Sequence, residues 1–141
     1  MVHALEEVHR VLAADGVLID LRPVADRWPV EIISAERCWP VGRLEDLPQQ
    51  LADDAASNAA LDQASLAGSF VLEHQETFDF SYYWDSLQDM REYIDDEWAD
   101  FCALPVRVFD RAQTIWGQID PSGQVRVRLK MQLGVWRRTM V

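Results

Sequence analysis

Ala4-Leu5-Glu6-Glu7-Val8-His9-Arg10-Val11-Leu12-Ala13-Ala14-Asp15-Gly16-Val17-Leu18-Ile19-Asp20-Leu21-Arg22-Pro23 is the stretch on which the fold turns. Leu5, Val8 and Leu12 fall on one face of a helix, with Glu6, Glu7 and Arg10 turned away, so the spacing predicts a helix over 2–13. Asp15-Gly16 is expected to end it, Gly supplying the left-handed conformation of a C-terminal cap. Val17 to Leu21 is an almost unbroken apolar run, which predicts a strand over 17–22 buried on both faces, as in a parallel sheet covered by helices. Pro23 closes it.

Working outward, residues 28–44 are irregular. Val30-Glu31-Ile32-Ile33 and Cys38-Trp39-Pro40-Val41 read as a short hairpin over 30–43, with Pro29 and Pro40 confining it to an edge. Asp46-Leu47-Pro48 is a helix start, an Asp cap followed by Pro, and the Ala-rich run over 47–67 predicts a surface helix. Phe70 to Trp84 alternates as a strand, with Phe70, Leu72, His74, Glu76, Phe78, Phe80, Tyr82 and Trp84 on one face. Asp85-Ser86-Leu87-Gln88 resembles a capping box opening a helix over 86–101, which buries Leu87, Met90, Ile94, Trp98 and Phe101. Pro105 opens another helix over 105–117, and Asp120-Pro121-Ser122-Gly123 reads as a turn. The last strand, 124–137, alternates Val125, Val127, Leu129, Met131, Leu133 and Val135 against Arg126, Arg128, Lys130, Gln132 and Trp136. The polar face of this strand is expected opposite Glu73, Gln75 and Asp79. The expectation is an α/β fold (α+β by content) in one domain, 1–141, with three main strands at 17–22, 70–84 and 124–137 in a partial Rossmann-like sheet.

Composition narrows the function. A chain of 141 residues, 49% apolar and 26% charged, is normal globular usage. The formal charge of −11 repels nucleic acid and anionic lipid surfaces. No apolar run approaches the ~20 residues of a membrane span, and the first residues lack the form of a signal peptide. Cys38 and Cys102 stand alone, without zinc-type spacing, and are expected as small buried hydrophobes in a reducing, cytoplasmic setting.

The segment 4–23 resembles class I S-adenosylmethionine-dependent methyltransferases, in which a helix of the form ALxEIxRVLKPGG leads into the fifth strand of the sheet. Here Ala13-Ala14-Asp15-Gly16 replaces the usual Lys-Pro-Gly-Gly. Phe78-Asp79-Phe80-Ser81-Tyr82-Tyr83-Trp84-Asp85-Ser86, with the acidic helix after it, is similar to a strand-to-helix passage near the C-terminus of that family. Val125-Arg126-Val127-Arg128 matches the position of its last strand. The resemblance implies a C-terminal half, without the Gly-x-Gly loop that holds the methyl donor. The six glycines, Gly16, Gly42, Gly68, Gly117, Gly123 and Gly134, never stand close enough to form such a loop.

No cofactor is therefore expected for the chain by itself, nor any catalytic or metal-ligating set. His3, His9 and His74 have no metal spacing, and no serine sits in a nucleophile elbow. Six residues remain as ligand-facing candidates. Asp20 and Arg22 lie at the end of the strand over 17–22, where open α/β sheets place ligands. His74 and Glu76 share an aromatic strand face where a shifted acid–base pair can form, and Tyr82 and Trp84 can line a pocket there. Three functions stay open: a truncated methyltransferase-like interaction or oligomerising module; the C-terminal half of a split methyltransferase needing a separate N-terminal half; and a small-ligand binder using the His74/Glu76 face. A strand 17–22 without its usual neighbour invites pairing, so a homodimer through that strand or helix 2–13 is expected.

Overall fold

The computed structural model describes residues 1–35, 37–119 and 122–140. In chain order the elements are α1 (Val2–Val11), β1 (Val17–Pro23), β2 (Pro29–Ser34), β3 (Arg37–Arg43) and β4 (Glu45–Asp46). They continue with α2 (Pro48–Leu66), β5 (Phe70–Trp84), α3 (Leu87–Glu97), β6 (Cys102–Ala103), α4 (Val106–Trp116) and β7 (Gln124–Arg138). The fold is mixed α/β, and its main sheet is built on β7, which pairs with β1, β2 and β5. The chain forms two compact units, interleaved along the sequence: Met1–Val24, Ala52–Phe78 and Met131–Val141 in the first, Ala25–Leu51 and Asp79–Lys130 in the second.

In the first unit β1 runs antiparallel to the end of β7, from Val17↔Arg137 to Pro23↔Met131. Leu5, Ala60, Leu61, Phe70 and Trp136 form the core, with Val8, Leu12, Leu18 and Ala64 packed against it. The stripe Leu5, Val8 and Leu12 of α1 thus faces inward as its spacing requires. The Arg138 guanidinium donates to the Leu12 carbonyl, satisfying an acceptor just beyond the end of α1. α2 ends in a Schellman motif: Gly68 takes φ +75, its N–H donates to Ser65 O and that of Ser69 to Ala64 O, both at 2.9 Å.

Two expectations for the opening segment are corrected. β1 is not buried on both faces: Ile19 and Leu21 are 62% and 54% exposed, and Val17 is exposed with them. Its ladder is antiparallel, so one face can remain open to solvent. The left-handed residue of the turn is Asp15, at φ 60, rather than Gly16, a conformation Asp tolerates better than most residues. Gly16 is needed for space instead, because a Cβ there would lie 2.8 Å from the Ala13 carbonyl oxygen.

In the second unit β2 pairs antiparallel with the start of β7, Val30↔Val127 to Ile33↔Gln124, and with β3 on its other side. The expected hairpin exists, but only β3 lies at an edge; Pro29 stands at the first position of β2, where a missing N–H is tolerated. The Ser86 hydroxyl accepts from the Asp89 N–H at 3.1 Å and caps α3. Leu87, Met90 and Ile94 of α3 are buried, as is Trp98 just after it, whereas Phe101, expected inside, is exposed. Asp46, expected as a helix cap, lies in β4 beside β6, and its carboxylate accepts from the Arg27 N–H. The Asp120-Pro121 part of the expected turn lies outside the described residues.

The alternation expected for β7 holds in its first half only. Val125, Val127 and Leu129 are buried, but beyond them it is Trp136, expected on the polar face, that is buried. Phe70, at 1% exposure, lies at the centre of the first core. Phe70→Ala is expected to cost about 3–5 kcal/mol in urea unfolding, whereas Ile19→Ala, at a solvent-facing position, should change stability by less than about 0.5 kcal/mol.

Candidate functional site

Asp20 and Arg22 are two residues apart on one strand, so their side chains share a face. They form an ion pair at 3.1 Å, both side chains largely shielded from water. Arg22 also donates to the Asn58 amide oxygen at 2.6 Å, and its Nη1 is buried with no hydrogen-bond partner. This group sits on a strand that, among the described residues, pairs on one side only, with β7.

His74 and Glu76 are joined by a 3.1 Å hydrogen bond, yet each side chain is more than half exposed. A water-exposed pair is not the enclosed setting in which ligand pockets hold their polar groups. Tyr82 and Trp84 belong to the second unit, where they cluster with Tyr93 and Trp98, ring centroids 5.1–5.9 Å apart. At that spacing the rings fill the space between themselves. Burial, then Tyr82 and Glu97, pushes the Tyr93 phenol up. His9 packs edge-on against Phe70 at 5.5 Å. The six candidates therefore do not converge: Asp20 and Arg22 form one pair, His74 and Glu76 another, and Tyr82 and Trp84 part of a packed aromatic cluster.

A polar cluster without counterpart among those candidates lies in the second unit. Glu31 on β2 is buried and receives Arg128 at 2.5 Å, with Arg126 at 3.3 Å. The Cys38 thiol donates to Glu31 at 3.1 Å, and Arg128 reaches on to Asp79 at 3.1 Å. The basic stripe of β7 thus meets Asp79 as expected, but its main partner is Glu31, while Glu73 pairs with Arg137. The signal for Glu31 in the sequence is a lone carboxylate between Val30 and Ile32-Ile33, a charge that a strand interior keeps only when paired. Burial raises the Glu31 carboxyl, but hydrogen bonds from Cys38 and Arg128, with the charges of both arginines, outweigh it and hold it below its ordinary value. Burial, then the bond to Glu31, pushes the Cys38 thiol up. Cys38 is exposed rather than buried; Cys102 is buried, and its thiol is pushed up to about 12 by burial and then by Asp46.

Among the described residues no group of three His, Cys, Asp or Glu is placed to hold a metal ion, and no helix is long and apolar enough to cross a membrane. No family model matches the chain. Neither a curated protein nor a solved structure matches it at a significant level.

Two outcomes are expected here. Glu31→Gln leaves two arginines short of their counter-charge and should cost about 2 kcal/mol at neutral pH. A carboxyl held low in the folded chain contributes stability above its ordinary 4.5 and loses it as pH falls through the lower folded value. Urea titrations of the two proteins should therefore converge in acid. In thiol labelling at pH 8 the native chain should expose Cys38 alone, with Cys102 reacting only after denaturation.

Proposed function

We propose that this chain is a methyltransferase-like interaction module that works through β1, pairing the free edge of that strand with β1 of a second copy. The observation that carries this is a strand that, among the described residues, is hydrogen-bonded on one side only, with Ile19 and Leu21 open to solvent. Proteins usually blunt such an edge with charge or a bulge. Here the open face of β1 is Val17, Ile19, Leu21 and Pro23, uncharged throughout, and across the ladder Leu133 and Val135 continue it.

An antiparallel two-fold pairing centred on Leu21 would set Ile19 against the partner's Pro23 and Asp20 against the partner's Arg22. That register gives opposite charges directly across the new ladder. The net charge of −11 opposes self-association, so it matters that the β1 side chains on this face carry no charge.

A second reading is favoured by the open face itself. The resemblance places β1 as the fifth strand of a methyltransferase sheet, which has neighbours on both sides, and β7 as the last strand paired with it. A separate N-terminal methyltransferase half would supply a strand to the edge of β1 and an apolar layer over Ile19 and Leu21. In this reading the 141-residue chain completes a partner's sheet and the partner holds S-adenosylmethionine. The Rossmann-like character of the sheet belongs to this proposal.

Light scattering on a sizing column separates the two. Self-pairing gives about twice 16.2 kDa at micromolar concentration and a monomer for Ile19→Lys/Leu21→Lys, whose changed side chains already face water. In a Cys38→Ser background, Leu21→Cys should form a dimer-linking disulfide on mild oxidation. A wild-type chain that stays monomeric and never crosslinks contradicts self-pairing and leaves the partner-half reading to be tested. Calorimetry recording stoichiometric uptake of S-adenosylmethionine by this chain alone would contradict both.

A further inference from the structure

Four of the 13 Lys and Arg residues line one groove of the second unit: Arg27, Arg43, Arg107 and Arg111, over a floor of Val41, Gly42 and Val108. We infer that this groove, of about 560 Å³, binds a small phosphorylated molecule through a pyrophosphate or comparable oxyanion group. The volume lies within the usual range of ligand pockets, and guanidinium forks match phosphate oxygens two at a time.

The clustering needs a reason in a chain of charge −11, and the local structure supplies no stabilising one. Arg107 and Arg111 lie four apart on α4, a like-charge pair on one helix face. Arg107 also stands in the first turn of α4, at the positive end of the helix dipole, and that turn holds no acidic residue. Arg27 has φ 46, a left-handed conformation that favours glycine. Its N–H is held there by both Asp46 carboxylate oxygens at 3.2 Å. Rules of local stability are broken together where a site is built.

Little in the groove neutralises these cations. Arg43 donates to the Arg27 carbonyl at 3.0 Å, a neutral acceptor. Glu45 reaches Arg107 only at 3.8 Å, both side chains more than half exposed. Among the described residues Arg111 and the Arg27 guanidinium have no carboxylate partner. The close approach that assembles the groove is fixed by Gly42, where a Cβ would lie 2.8 Å from Val108 Cγ2. That contact sets Arg43 of β3 beside Arg107 and Arg111 of α4. The surrounding acidity of the chain excludes long polyanions while the groove retains a local positive field, so a small phosphorylated ligand fits better than nucleic acid.

Calorimetry with inorganic pyrophosphate at low salt, on the full chain, tests this. Saturable one-to-one binding is expected, tighter than inorganic phosphate and weakened by added salt. Arg107→Gln/Arg111→Gln should weaken it at least about tenfold, as should Arg27→Gly. Arg10→Gln, on α1 outside the groove, should leave it unchanged. Both groove variants should melt no lower than wild type without ligand, since each removes a local conflict. Absence of saturable binding, equal binding by the groove variants, or tighter binding of a short single-stranded oligonucleotide than of pyrophosphate would overturn the proposal.

Discussion

Backbone hydrogen bonding to a single strand organises this fold. β1, β2 and β5 all pair with β7, and β3 joins the sheet through β2; buried amides and carbonyls must find such partners. Because side chains alternate along a strand, the odd-numbered Val125, Val127 and Leu129 are buried together in the second unit, while Trp136 belongs to the core of the first. The arginines between the odd positions, Arg126 and Arg128, are thereby directed at Glu31, and the polar cluster around that carboxylate follows.

The exposed face of β1 is the other side of the same arrangement. Leu18 turns inward to the core with Trp136, so Val17, Ile19 and Leu21 must turn outward. An apolar residue on a solvated strand face contributes little to the stability of its own chain. Three on one face of a strand that, among the described residues, is hydrogen-bonded on one side only are what the proposed surface for another polypeptide is built on. Asp20 and Arg22, at the alternate positions, turn to the opposite face and pair with each other there.

Much of the architecture was legible in the residues. The stripe of α1, the Ser86 cap and the alternation at Val125, Val127 and Leu129 are local patterns with a single interpretation. Val17 to Leu21 is different. A continuous apolar run reads the same whether both faces are buried within the chain or one is left for a partner, and periodicity cannot separate them. The burial of Trp136 departs from the alternation for a related reason: which face of a long strand is covered depends on helices distant in sequence, here those carrying Leu5 and Ala60. The site candidates suffered likewise. His74 and Glu76 share a strand face by spacing, but the cover that would make them chemical is not there. Glu31, Cys38, Arg126 and Arg128 meet only because β2, β3 and β7 are neighbours, and Arg27, Arg43, Arg107 and Arg111 only because α4 seats against Gly42.

The proposed self-association rests on the outer edge of β1 being a pairing edge. Hydrogen–deuterium exchange at the amides of Val17 to Arg22, followed across a dilution series, addresses it most directly. Alternate amides, those turned away from β7, should be protected at high protein concentration and lose that protection on dilution. If those outward amides exchange at the unprotected rate at every concentration, and no added polypeptide slows them, the edge is merely solvated and the account fails.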